Sequence, residues 1–189
     1  MAEPLTHLPP YNPQVPPKTG GGSIYGGGKV YTFGGFADEE ALSAFECVEM
    51  QWDESCGQET WHWSPVMTSG PSPCARFGHS LTLIGRVLYL VGGCTGGHNH
   101  KQYGTEGDEL NDIWMMNVDD EAPAWTSADL MWPPPFMTDG RYNLGRCHST
   151  IALGTSLLVF GGGPSYALSN DLIRIDTKLL KSDASLTEW

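Results

Sequence analysis

Residues 79–93 read HSLTLIGRVLYLVGG, and residues 148–162 read HSTIALGTSLLVFGG. In both, a histidine stands 13 positions before the first glycine of a pair. In both, a turn glycine (Gly85, Gly154) stands seven before it. A weaker third copy runs over 21–35, GGSIYGGGKVYTFGG, with Gly27 at the turn. The pairs begin at Gly34, Gly92 and Gly161, 58 and then 69 residues apart. A unit returning at this interval cannot bury both its faces alone and must stack on its neighbours, so the chain is constrained to a propeller or a solenoid.

The second copy defines the unit. Leu81–Ile84 and Val87–Val91 are apolar runs joined at Gly85, the pattern of a tight hairpin. Asn111-Asp112-Ile113-Trp114 supplies a third strand, and Trp125 opens a fourth. Val87-Leu88-Tyr89-Leu90-Val91 is apolar at every position, as expected of a strand covered on both sides. In the third copy Asn170-Asp171-Leu172-Ile173 matches residues 111–114, and Trp189 takes the place where a fourth strand begins.

The pattern resembles the kelch repeat of the kelch and galactose-oxidase type β-propellers. The residues that carry the resemblance are Gly34-Gly35, Gly92-Gly93 and Gly161-Gly162, the two Asn-Asp segments, and Trp63 (or Trp61), Trp114, Trp125 and Trp189. It covers roughly residues 20–189. It implies an all-β fold, a kelch-type β-propeller segment of about three four-stranded antiparallel blades over 20–64, 76–126 and 146–189. Residues 1–19, with prolines at 4, 9, 10, 13, 16 and 17, read as a Pro-rich, poorly ordered leader. Pro13-Gln14-Val15-Pro16 has the PxxP spacing but no basic residue before it, so a linker is the simpler reading.

The 24 glycines and 14 prolines suit short strands and turns. The net charge of −12 argues against nucleic acid, which needs clustered Lys and Arg, and leans toward a neutral or basic partner. No apolar run reaches 18 residues, so no helical membrane span is expected, and residues 1–18 lack the pattern of a secretory signal. The five cysteines form no C-x-x-C pair and read as reduced thiols, which points to the cytoplasm or nucleus.

In a four-stranded meander the 2→3 and 4→1 connections share one face. Here that face collects residues 36–44, 94–110 and 163–169, together with 64–75 and 126–145. Long loops on a rigid scaffold are where binding residues concentrate, and the resemblance implies a protein or peptide partner at this face. The candidate partner-binding residues are Arg76, His98, His100, Tyr103, Trp132, Phe136, Arg141 and Arg146. Arg76 and Arg146 have two readings: a fork for an acidic group of a partner, or a clamp on backbone carbonyls between blades. Trp132 and Phe136 either anchor a partner or fold back on the propeller. Trp63, Trp114 and Trp125 are expected to pack between blades. His79 and His148 recur at matched places, which suggests a repeated blade-to-blade hydrogen bond rather than catalysis.

No catalytic motif stands out, and neither enzyme activity nor a cofactor is expected. The competing reading is a metal-dependent enzyme of the kelch-propeller type, nitrile-specifier-like or oxidase-like. His98 and His100, with Asp108 and Glu109, are its nearest ligand set. The Tyr, His and Cys-Tyr positions of oxidase chemistry have no counterparts here, and Glu106–Asp112 lacks the His of an iron site.

Three blades leave two apolar blade faces and an open axis, whereas kelch-type propellers typically close with six or seven blades. Truncation of a longer propeller is the first expectation. Self-association through the open blade faces, three blades plus three, and completion on another protein are the others.

Overall fold

The computed structural model describes residues 17–55, 57–96, 109–129, 144–163 and 168–182. The first sheet has the order β1-β2-β5-β6, from Gly22–Gly26 (β1), Lys29–Phe33 (β2), Phe45–Asp53 (β5) and Gln58–Pro65 (β6). Phe36–Ala37 (β3) and Glu40–Ala41 (β4) form a separate hairpin. The second sheet runs β7 (Ser80–Ile84), β8 (Val87–Val91), β9 (Ile113–Asn117) and β10 (Thr126–Asp129). The third runs β11 (Ser149–Leu153), β12 (Ser156–Phe160) and β13 (Leu172–Asp176). Every ladder pair within these sheets is antiparallel. The innermost strand β7 lies between β1 and β11, so the three sheets stack as consecutive blades around one axis.

The strands follow from local chemistry. Each first hairpin is closed by a glycine at positive φ, Gly27 (60°), Gly85 (61°) and Gly154 (59°), which the primed two-residue turns of tight hairpins require. Leu88 and Leu90 point toward the first blade, Tyr89 and Val91 toward the third. All four are buried, as a strand covered on both faces demands. The core between the first two blades joins Tyr31, Phe33, Phe45 and Cys47 to Leu81, Leu88, Leu90, Met116 and Trp125. The core between the second and third joins Tyr89, Val91, Ile113 and Ala128 to Leu144, Leu157, Val159 and Ile175.

Three details are decided by the tertiary structure. Asp38 and Glu39, at φ 50° and 66°, make the two-residue turn between β3 and β4. β6 takes in the Trp61-His62-Trp63 run and starts at Gln58, because β5 extends to Asp53 and pairs with it from Glu46 onward. The third blade has three strands among the described residues. After β13, a 3-10 turn (Thr177–Leu179) is capped by Asp176, whose carboxylate accepts the Lys178 N–H. Leu180 then packs on the core between blades two and three. That crossing carries Lys181–Ser182 (β14) onto the edge of β10 in the second blade.

Candidate functional site

The 2→3 and 4→1 connections meet on one face and are bonded to each other. Gly35 N–H donates to the Arg76 carbonyl (2.9 Å) and Arg76 N–H to the Leu42 carbonyl (2.9 Å). One blade further on, Gly93 N–H donates to the Gly145 carbonyl (2.7 Å). A ring of backbone bonds also runs around the axis. Gly78 N–H donates to the Gly20 carbonyl, and Cys147 N–H to the Gly78 carbonyl, both at 2.7 Å. The glycine pairs make this approach workable: a Cβ on Gly92 would lie 2.6 Å from the Gly145 carbonyl oxygen.

Arg76 is fully buried. Its guanidinium donates to both oxygens of Asp112 (2.6 and 2.9 Å), to the Gly92 carbonyl (2.9 Å) and, through Nε, to the Cys74 carbonyl (3.1 Å). It is a clamp, but one within the second blade and chiefly on a carboxylate, not on carbonyls between blades, and its buried side chain offers no surface to a partner. The Trp114 indole donates to the same Asp112 carboxylate (2.7 Å). Asn111 Oδ1 accepts the Leu144 N–H (2.6 Å) and ties the second blade's loop to the start of the third. The Asn-Asp-Ile-Trp segment was therefore a polar joint as well as a strand start, and its polar pair was the signal for that joint.

Arg146 is not the counterpart of Arg76. The backbone places Gly145 where Arg76 stands, and Arg146 where Phe77 stands. The reason is countable: Arg76 precedes His79 by three residues, Arg146 precedes His148 by two. Arg146 thus lies at the loop face, its guanidinium 5.9 Å from the Phe77 ring centroid. Its Nε is 3.4 Å from Glu109, and Nη1 donates weakly to the Cys94 sulfur at 3.6 Å. Glu109 is mostly buried, and its Oε2 has no hydrogen-bond partner among the described residues. Burial raises its pKa, against the opposing pull of Arg146. Burial likewise raises the pKa of the Cys94 thiol. Phe36 packs against Phe77, ring centroids 5.1 Å apart. Phe36, Phe77, Glu109 and Arg146 together form the candidate site. Sequence reading placed Glu109 only in a metal set and did not single out either phenylalanine.

His79 sits between the first two blades, its Nε2 3.1 Å from both the Gly22 nitrogen and the Phe33 carbonyl. Burial first, then the Arg76 charge, lowers its pKa to about 4. His148 repeats the arrangement one blade on, Nε2 3.0 Å from the Ser80 hydroxyl, and burial lowers its pKa too. Both histidines thus make the blade-to-blade bond their spacing suggested. Trp125 is buried against Phe33 and Phe45, with centroids 5.8 and 5.3 Å away. Trp114 packs partly against the same core. Trp63 does not lie between described blades: it pairs with Val48 and shares the face of the first blade turned away from the second.

His98, His100, Tyr103, Trp132, Phe136 and Arg141 lie outside the described residues. Among the described residues no group of three His, Cys, Asp or Glu could hold a metal ion, and no helix is long and apolar enough to cross a membrane.

The model of the KLHDC2/KLHL20/DRC7 Kelch-repeats domain matches residues 3–181. Acyl-CoA-binding domain-containing protein 6 of Oryza sativa subsp. japonica is 34% identical over 104 residues, 55% of this chain and 13% of that protein. Kelch domain-containing protein 3 of Bos taurus is 26% identical over 161 residues, 82% of this chain and 37% of that protein. Host cell factor of Drosophila melanogaster is 23% identical over 205 residues, 75% of this chain and 12% of that protein. The chain therefore spans between 12% and 37% of the length of these relatives.

Proposed function

The chain belongs to the kelch-repeat domain family, and on that premise we propose that it is a non-catalytic module that binds a protein or peptide partner through its loop face. The observation that carries this reading is the grouping of Phe36, Phe77, Glu109 and Arg146 at the junction of bonded inter-blade loops. Aromatic and arginine side chains on a rigid frame are the usual anchors of an interface. With a net charge of −12, the chain favours a partner that brings N–H donors or positive charge.

The test is a random peptide library panned against the immobilised chain, followed by calorimetry on the enriched peptides. Phe77→Ala and Arg146→Ala should weaken binding roughly tenfold or more, as truncation of an anchor does. Arg86→Ala, in the β7–β8 turn at the other end of the blade, should leave it unchanged. Peptides that bind all three variants equally would sink the loop-face reading.

A further inference from the structure

The first blade departs from the other two at one place. Gly34, Gly92 and Gly161 donate their N–H to the carbonyls of Ala44, Asp112 and Asp171, so these three residues hold one position in successive blades. Counting from there, residues 45–49 of β5 correspond to the whole of β9 and of β13. Those two strands stop at that level, whereas β5 runs on to Asp53 and stays paired with β6. β2 begins at Lys29, opposite Glu49, so residues 50–53 and 58–61 have only each other as ladder partners among the described residues. They make a two-stranded ribbon that carries on past the sheet by about 13 Å, at ~3.3 Å per residue. β5 starts at the loop face, after residues 36–44, so the ribbon leaves the blade at the opposite end.

A two-stranded ribbon is marginal in water by itself, yet this one turns apolar side chains outward. Partners across an antiparallel ladder point the same way, so Met50 with Trp61 and Trp52 with Glu59 share one side of it. Along that side of β5, exposure climbs from 8% at Val48 through 44% at Met50 to 61% at Trp52. The climb begins where β2 stops. A neighbouring blade with a third strand as long as β9 or β13 stops at the same level, so the ribbon is a surface apart from the blade-to-blade junctions.

Its charge is one-sided. Residues 49–62, EMQWDESCGQETWH, hold four carboxylates, Glu49, Asp53, Glu54 and Glu59, and no lysine or arginine. Lys29 answers Glu49 at the root of the ribbon, at 3.5 Å; the segment itself brings no cation to the other three. Glu59 is exposed and stands directly across from Trp52. A lysine or arginine laid over the Trp52 ring gains the attraction of the ring face and lies beside the Glu59 carboxylate. Met50 and Trp61, next along the same side, offer contact area to an apolar neighbour of that cation.

We infer that this ribbon is a second docking surface, and that its occupant is a segment of another protein in which a Lys or Arg stands beside an apolar side chain. An acidic segment is repelled by the carboxylates, and a purely apolar one leaves them without counter-charge. The ribbon and the loop face lie at opposite ends of the blade, so the two readings stand or fall separately.

The test is a random peptide library depleted on the immobilised Trp52→Ala chain and then selected on the wild type, a step that also removes loop-face binders. Surviving peptides should carry Lys or Arg beside an apolar residue. By calorimetry their affinity should fall roughly tenfold or more in Trp52→Ala and roughly threefold or more in Glu59→Gln. It should weaken as salt is raised and stay unchanged in Phe77→Ala. Both ribbon substitutions replace exposed side chains beyond the sheet, so circular dichroism should match the wild type. An empty selection, survivors without a basic residue, survivors that bind Glu59→Gln as tightly as the wild type, or survivors that lose affinity in Phe77→Ala instead would each overturn the proposal.

Discussion

The buried guanidinium of Arg76 meets both carboxylate oxygens of Asp112 across 36 residues of sequence, at 2.6 and 2.9 Å, while also donating to the Gly92 carbonyl. One ion pair thereby fixes the 4→1 loop of the second blade against the start of its third strand. Removing one partner leaves a buried charge uncompensated. Asp112→Ala should lower unfolding free energy in urea by about 3 kcal/mol. Arg76→Lys should cost nearly as much, because an ammonium cannot reproduce the planar two-pronged contact. Unchanged urea midpoints would show that the loop holds itself.

Acid should loosen the blade junctions before it unfolds the rest. The His79 pKa is about 4 in the fold and 6.5 in the unfolded chain, so the folded state binds fewer protons between these values. Its neutral form therefore supports the fold fully above pH 6.5, and that support is lost as pH falls toward 4. The loss amounts to about 3 kcal/mol for such a difference. His148 is lowered in the same direction. Glu109, raised by burial, works in the opposite sense, its cost fading as it protonates. Urea midpoints measured from pH 7.5 to 4.5 should fall steadily in the wild type and less steeply in His79→Gln. Parallel profiles would remove His79 as the cause.

Two glycines with nearly the same φ should respond differently to alanine. Gly154 (59°) faces open space, so Gly154→Ala meets only backbone strain, about 1 kcal/mol. Gly92 (58°) would add a Cβ 2.6 Å from the Gly145 carbonyl oxygen and 3.1 Å from the His148 ring. Gly92→Ala should cost about 3 kcal/mol, strain plus a backbone clash that cannot relax cheaply. Equal losses in chemical denaturation would mean that the loop yields to the methyl group.

Trp125 sits at 2% exposure between two phenylalanines of the preceding blade. Trp125→Ala should destabilise by about 4 kcal/mol through the cavity it leaves. Trp125→Phe should recover much of that. A loss under about 1 kcal/mol for the alanine variant would show that the core recloses.

Local signals made the blade legible. β8 spans Val87–Val91 and β7 ends at Ile84, just where apolar runs meet Gly85. The matched histidines predicted their blade-to-blade bonds, and Trp125 its buried place. These features depend on residues close together in the chain: a turn glycine, a continuous apolar strand, a repeat length. Tertiary structure decided the rest. Whether an arginine is a buried clamp or part of the loop face turns on one residue of spacing before the histidine, and on which carbonyls the loop then meets. The Asp38-Glu39 hairpin exists because the Gly35–Arg76 and Leu42–Arg76 bonds hold its two ends. β14 joins the second blade after Leu180, partly buried, packs on the core between blades two and three. The Phe36, Phe77, Glu109 and Arg146 group gathers residues separated by up to 110 positions, and no periodicity along a chain encodes a meeting made only when blades stack.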